Sequence, residues 1–296
     1  MARSLVIGSR GSQLALWQAN YIAGRLRELG VATEIQIIKT TGDHLQTASL
    51  VQAGGKGLFT KEIEDALLAG TIDVAVHSLK DLPTKNPGGL TIAAIPRRED
   101  ARDALAGRKL EDLRHGARVG TSSNRRAAQL RMLRSDLVIE PVRGNVDTRL
   151  RKLREGQYDG IVLAAAGLRR LGLGHEIAQL FSPDQICPAP GQGALGIQTR
   201  EEDPAVGICA QLNHEDTARA VLCEREVLAS LGGGCQLPIG AYAEVSGNVL
   251  RVSAGVFAPD GSSYVRAQAD GWDPLALGQR VGQDLIAKGA QAICAL

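Results

Sequence analysis

The sequence predicts an α/β protein: two lobes with mainly parallel sheets, then a small α+β C-terminal domain with a three-stranded antiparallel sheet. Three observations lead there. Short apolar runs alternate with helix-length stretches, which implies parallel strands with helices on both faces. The alternation restarts after Arg97, and 296 residues are too many for one ordinary core. The last eighty residues change to strand-like runs joined by turn signals.

In the first lobe, LVIGS (5–9) reads as a buried strand. A helix follows over Gln13–Leu29, with Ser12 placed to cap it and Gly30 to stop it. EIQIIKT (34–40) is a second strand, and Thr60 caps the helix KEIEDALLAG. DVAVHS (73–78) and LTIAAI (90–95) are further strands. Ligand crevices of such sheets lie at the carboxyl ends of the strands. Ser9-Arg10, Thr41-Gly42-Asp43 and His77–Asp81 all fall there.

In the second lobe RVGT (118–121) leads into a helix over Ser123–Leu133. LVIEPV (137–142) leads through RGN into a helix over Val146–Arg154, and GIVLAA (160–165) into AGLRRLG. The segment PAPGQGALGIQT (188–199) is a Gly/Pro-marked crossing with one strand, which returns the chain to the first lobe. A helix over Asp216–Leu231 then ends in a triple glycine. AYAEVSG, NVLRVSAGVFA and SYVRAQADG are joined by Gly247-Asn248 and Pro259-Asp260-Gly261, before a final helix from Pro274 to Lys288. The expected domains are 1–96 with 194–212, 97–193, and 213–296. Two connections between lobes imply a hinged ligand cleft.

Composition narrows the function. Aromatic residues make up 3% of the chain, too few for a platform that stacks nucleic-acid bases. The net charge of +2 hides a surplus of eight positive charges between Arg97 and Arg170, nearly all arginine. Guanidinium forks meet carboxylate or phosphate with paired hydrogen bonds, so an anionic ligand is expected unless the segment is a solvated basic face. The five cysteines are odd in number, scattered, and not placed with histidines at zinc spacing, so no metal is expected. Reduced thiols and an N-terminus without a signal-peptide core point to a soluble cytoplasmic protein, and no apolar run has membrane-spanning length.

Several motifs carry chemistry. HSLKDLP sets Lys80 and Asp81 just beyond a strand end. An Asp in a loop is commonly solvated, but one near Arg10, Lys56 and Lys80 stays ionised and can stabilise developing positive charge. GTSSNRRAAQLR (120–131) opens a helix with small hydroxyls and Arg125-Arg126, and a first helical turn offers free N–H groups to anions. Ser122 or Ser123 caps that helix as well. VRGNVDTRL repeats the arrangement with Arg143 and Arg149, and AGLRRLGL adds Arg169 and Arg170. GGKGLFTKE (54–62) lacks P-loop spacing and reads as a mobile lid or plain loop with Lys56 and Phe59 at its tip. Cys187, Cys209, Cys223 and Cys294 read as small buried residues, whereas Cys235, after three glycines, is placed for covalent attachment.

Together SRGSQLALWQA (9–19), KTTGD, GGKGLF, VHSLKDLPT (76–84), GTSSNRR, RGNVDTRL, AGLRRLGL, PAPGQGALGI and GGGCQLPIG (232–240) resemble the porphobilinogen deaminase (hydroxymethylbilane synthase) family along nearly the whole chain. The resemblance implies two periplasmic-binding-protein-like lobes and a third domain. It implies a transferase of tetrapyrrole (haem) biosynthesis that deaminates four porphobilinogens and couples them head to tail into hydroxymethylbilane. A dipyrromethane cofactor joined by a thioether to Cys235 serves as primer. By resemblance Asp81 is the catalytic carboxylate, stabilising the azafulvene formed when ammonia leaves, with Arg10 and Arg149 nearest the reacting ring. Cofactor contacts are expected from Asp43, Ser78, Lys80, Thr121, Ser123, Arg125, Arg126, Arg143 and Gly144. Substrate contacts are expected from Arg10, Ser12, Lys56, Phe59, Asn145, Arg149, Arg170 and Gln192. The carboxylates that each porphobilinogen carries account physically for so many arginines. One departure shows: Gln52 stands where many relatives have lysine.

The competing expectation is a non-catalytic two-lobed binding protein for an organic anion, which leaves Cys235 and the third domain without a role. An effector-sensing regulator would need a helix-turn-helix unit, and the chain opens on a strand instead. A monomer is expected, since no heptad or long apolar edge stands out.

Overall fold

The computed structural model describes residues 4–41, 60–232 and 237–294. They form two compact units, Met1–Arg98 with Ala194–Ala218, and Glu99–Gly193 with Arg219–Leu296.

In the first unit, β1 (Leu5–Ser9), α1 (Gln13–Glu28), β2 (Thr33–Ile37), α2 (Lys61–Leu68), β3 (Val74–Ser78) and β4 (Leu90–Ala94) follow in chain order. The sheet is completed by a later strand, β10 (Leu195–Arg200), in the order β2-β1-β3-β10-β4. β1 runs parallel to β2 and β3, while β10 runs antiparallel to both its neighbours. The Ser12 side chain caps α1 by accepting from the Ala15 N–H, as the sequence suggests. Ile22 and Leu26 of α1 pack on Ile7, Val74, Val76 and Ile197, together with Ala205 and Cys209 of α6 (Ala205–Ala210). Ile63 and Leu67 of α2 close the other face over Ile72, Ala75 and Leu90. Each such side chain, wholly removed from water, contributes about 1.5–3 kcal/mol.

The second unit repeats the plan. It holds β5 (Asp103–Ala106), β6 (Arg118–Gly120), α3 (Asn124–Leu133), β7 (Val138–Glu140), α4 (Val146–Arg154), β8 (Gly160–Ala164), α5 (Ala165–Arg170) and β9 (Ile177–Leu180). The order is β7-β6-β8-β5-β9, and here β5 is the reversed strand. Two sheets of one topology result, each with four strands in one direction and one against them.

α7 (Glu215–Ser230) carries the chain into the C-terminal part of the second unit. There β11 (Ile239–Ser246), β12 (Val249–Phe257) and β13 (Tyr264–Gly271) form the expected antiparallel sheet. Its inner face packs Val252, Val256 and Ala267 on Val227 of α7 and on Val281 and Leu285 of α8 (Pro274–Ala287). A short α9 (Ala290–Cys294) follows. No helix among the described residues is long and apolar enough to cross a membrane.

Three expectations shift. The strand expected over 34–40 ends at Ile37, because its partner β1 ends opposite it at Ser9. The strand expected over 137–142 ends at Glu140, opposite Gly120, and Pro141 then has no N–H to offer. Thr60 stands at the N-cap of α2, but its side chain makes no capping bond. Two strands were not legible at all. β5 reads DALA, poor in strand formers, and exists because it is inserted, wholly buried, between β8 and β9; β9 is the edge strand paired to it.

Candidate active site

In the first unit, β1 and β3 end side by side at one edge of the sheet. β1 delivers Arg10, which is partly buried, and then Ser12 at the head of α1. β3 runs into a single 3-10 turn, Leu79–Asp81. Leu79 fixes that turn: its side chain is wholly buried and its N–H donates to the Ala194 carbonyl at 3.0 Å. The Leu82 N–H closes on the Leu79 carbonyl, and Pro83 then prevents the helix from continuing. Lys80 is partly buried and Asp81 is exposed. Among the described residues the Asp81 carboxylate has no hydrogen-bond or ion-pair partner. Ser78 is held by Gln18, whose Nε2 donates to its Oγ at 2.9 Å.

The second unit gathers the expected arginines, but they differ in kind. Arg125 and Arg126 open α3 and are both buried, at 5% and 7% exposure. Between them lies Asp103, the first residue of β5, with no exposure at all. Arg125 Nη1 meets one carboxylate oxygen at 2.7 Å, and Arg126 meets the other through Nε at 2.9 Å and Nη2 at 2.7 Å. Gln192 Nε2 donates to Asp103 at 2.9 Å and to the Ala101 carbonyl, and Gln192 accepts from Arg126. Burial alone would raise the Asp103 carboxyl, but the two guanidiniums beside it hold it far below the usual carboxylate range. Arg125 further donates to the Cys187 carbonyl and Arg126 to that of Val162. These contacts tie the head of α3 to β5, β8 and the crossing segment. Arg125 Nε and Nη2 keep no partner among the described residues.

Arg149, on α4, is the opposite case. Asn145 caps that helix, its Oδ1 accepting from the Thr148 N–H and hydroxyl at 3.0 and 2.9 Å. Gly144 precedes it with φ +108°, a conformation that favours glycine, and a Cβ there would stand 2.6 Å from the Thr148 methyl. The Gly144 carbonyl accepts from Arg149 Nε at 2.8 Å. Among the described residues no carboxylate lies within ion-pair range of Arg149. Burial, then the charge of Arg126, lowers its pKa to about 10. A half-buried guanidinium with no carboxylate beside it suits an anionic ligand.

The remaining candidates lie around these. Thr121 is buried and its Oγ1 accepts from the Ser123 N–H, while Ser123 caps α3 by accepting from Arg126 N–H. Ser122 donates to the Val142 carbonyl. Arg143 is exposed, and Arg170 donates to the Gly193 carbonyl at 2.7 Å. Asp43, Gln52, Lys56, Phe59 and Cys235 lie outside the described residues. Asp103 escaped the sequence reading. Its one signal was a charged residue opening an otherwise apolar run, and the arginine pair that holds it comes 22 and 23 residues later.

A family model described as the porphobilinogen deaminase dipyromethane cofactor binding domain matches residues 5–207, and one described as the porphobilinogen deaminase C-terminal domain matches residues 218–287. Curated relatives agree. A porphobilinogen deaminase of Thiobacillus denitrificans is 49% identical over 98% of this chain and 97% of its own length. That of Geobacillus kaustophilus is 48% identical over 98% and 96%, and that of Nitrosomonas europaea 49% over 99% and 98%. Among solved structures the chain is similar to a periplasmic substrate-binding protein of Coxiella burnetii, at 15% identity and a TM-score of 0.43 over 70% of this chain and 91% of that one. With family models and relatives matching along almost its whole length, the chain belongs to the porphobilinogen deaminase family.

Proposed function

We propose that this chain is a hydroxymethylbilane synthase, which deaminates porphobilinogen and joins four molecules head to tail. The observation that carries it is Asp81: an exposed carboxylate, without a partner among the described residues, on a turn fixed by the buried Leu79. Its oxygens offer acceptors to pyrrole N–H groups and negative charge where positive charge develops as ammonia leaves. In each cycle the carbon–nitrogen bond of one porphobilinogen breaks and a carbon–carbon bond to the growing chain forms. The pyrrole carbon that is attacked gives up a proton, and ammonia is released.

The donor set fits a polycarboxylated dipyrromethane, since among the described residues Arg149 has no carboxylate beside it and Arg125 Nε and Nη2 have no partner. When bound, that group supplies the pyrrole carbon to which the first substrate is joined. Cys235 would hold it covalently, with Asp43, Ser78, Lys80, Thr121, Ser123, Arg125, Arg126, Arg143 and Gly144 contributing. Substrate carboxylates would fall to Arg10, Ser12, Asn145, Arg149, Arg170 and Lys56, with Phe59 offering apolar contact to the ring. Gln192, expected to touch substrate, is wholly buried with both ends of its amide engaged inside the unit. A charge-assisted bond from a partly desolvated arginine contributes about 1.5–3 kcal/mol. Arg126 and Gln192 act chiefly by keeping the head of α3 in place around Asp103.

The protein works in the cytoplasm as a monomer. Buried free thiols at Cys187, Cys209 and Cys223 support a reducing setting. The test is the intact mass of the purified protein, with peptide mapping around residue 235. One dipyrromethane on Cys235, absent from Cys235→Ala, is the expected result. A Cys235 that stays unmodified after incubation with porphobilinogen or hydroxymethylbilane overturns the synthase and promotes the organic-anion binder.

A further inference from the structure

Four residues before Asp81, on β3, lies a buried histidine to which the chemistry above assigns no role. His77 is 6% exposed, on the sheet face covered by α2. Its Nε2 is 3.0 Å from Oε1 of Gln198, a residue of β10 with no exposure. Gln198 Nε2 in turn donates to Glu64 of α2 at 3.3 Å, and Glu64 is 8% exposed. β10 is thus joined to two elements more than a hundred residues earlier by one chain of side-chain hydrogen bonds through an otherwise apolar layer. A buried polar chain of this kind specifies one arrangement, because any shift leaves its members unpaired. Burial keeps the imidazole neutral at neutral pH and pushes the Glu64 carboxyl above its ordinary range.

What it specifies is the place of the turn that bears Asp81. β10 is the template: Ser78 lies opposite Leu195, and His77 opposite Gly196. Gly196 has no side chain where a Cβ would meet the Leu79 methyl at 2.4 Å, so Leu79 fits over β10. The Leu79 N–H then bonds to Ala194, one residue before β10 begins. A one-residue slip of β3 on β10 would reverse every side chain on β3 and carry Asp81 away. The backbone pairing itself spans only Ala75–Ser78 against Leu195–Gln198.

We propose that His77 and Gln198 are positioning residues for Asp81: their hydrogen bond, anchored through Glu64 on α2, locks β3 to β10 and so fixes where the turn Leu79–Asp81 presents its carboxylate. This rests on Asp81 being the carboxylate that does the chemistry.

The test compares His77→Gln with His77→Asn in the cofactor-bearing protein. The Gln amide reaches the position of Nε2 and retains a donor to Gln198; the shorter Asn amide does not. His77→Gln should keep kcat within about threefold. His77→Asn should lose about 100-fold in kcat, the scale of a misplacement near 1 Å, with KM within about twofold and the dipyrromethane still on Cys235. A second variant, His77→Leu with Gln198→Leu, replaces both partners of the His77 bond by apolar groups; Glu64 loses its Gln198 donor, one lost bond that leaves the protein folded. Its kcat should remain low although it is folded. Equal kcat for the Gln and Asn variants, or normal kcat in the folded double variant, overturns the proposal. Asp81→Asn is assayed alongside. If it turns over normally, the role of Asp81 itself fails; if it alone is inactive, only the positioning role fails.

Discussion

The two units share one sheet plan but hold their aspartates in opposite ways. Asp81 follows a strand of the first sheet, stands exposed, and has no partner among the described residues. Asp103 opens the reversed strand of the second sheet, is wholly buried, and is held by two arginines and a glutamine. A carboxylate whose acceptors are all occupied cannot respond to a passing charge. One left open on a rigid turn can. The arginines divide in the same manner: Arg126 is committed to Asp103, whereas Arg149 is half-buried with no carboxylate beside it among the described residues. Burial and charge in a sequence therefore do not by themselves separate chemistry from scaffold; partners do.

The largest effect should come from the open carboxylate. Asp81→Asn should lower kcat on the order of 1000-fold, the scale of removing a charge-stabilising group. Its melting temperature should barely move, because surface substitutions away from special features stay within about 0.5 kcal/mol. Asp103→Asn inverts that pattern. It leaves two buried guanidiniums short of a counter-charge and should cost about 3–5 kcal/mol in urea unfolding.

Next in size is a pH effect. The His77 pKa in the folded protein is about 4, below the ordinary 6.5, because burial disfavours the imidazolium. The unfolded chain therefore takes up that proton first. Stability from this group is full above pH 6.5 and declines as pH falls through 6.5 towards 4, by about 1.4 kcal/mol per pH unit and about 3 kcal/mol at most. Glu64, whose carboxyl is raised, works in the opposite sense and offsets part of the slope. His77→Gln should flatten the urea midpoint between pH 6.5 and 4.

Arg149→Met should raise KM about tenfold through one lost carboxylate contact, yet leave stability nearly unchanged, since Arg149 is half-buried and makes no ion pair among the described residues. Binding and unfolding measured on one preparation separate it from Asp103→Asn, which fails in unfolding. Arg151→Ala should change least. Arg151 pairs with Glu155 one turn on, both exposed, and such pairs are worth about 0.3–0.5 kcal/mol.

Much of this was legible in the sequence. The α1 limits, its Ser12 cap, and the strands carrying Arg10 and Ser78 follow from apolar period and turn residues, which are local signals. Asp81 was marked by its place between a strand end and a proline. β5 was not legible, because DALA becomes a strand only through neighbours that lie more than fifty residues away. For the same reason the basic surplus between Arg97 and Arg170 read as a site for anions. Part of it is answered inside the unit, by Asp103 for Arg125 and Arg126, by Asp136 for Arg134, and by Asp100 for Arg102. Sequence counts charges; only the fold shows which ones meet.

The measurement that bears most directly on the comparison is porphobilinogen turnover by Asp81→Asn, on protein whose intact mass shows the dipyrromethane in place on Cys235. Loss of turnover on the order of 1000-fold, with unchanged melting, is the predicted result. A cofactor-bearing Asp81→Asn that consumes porphobilinogen at the wild-type rate would contradict it and move the chemistry to another residue.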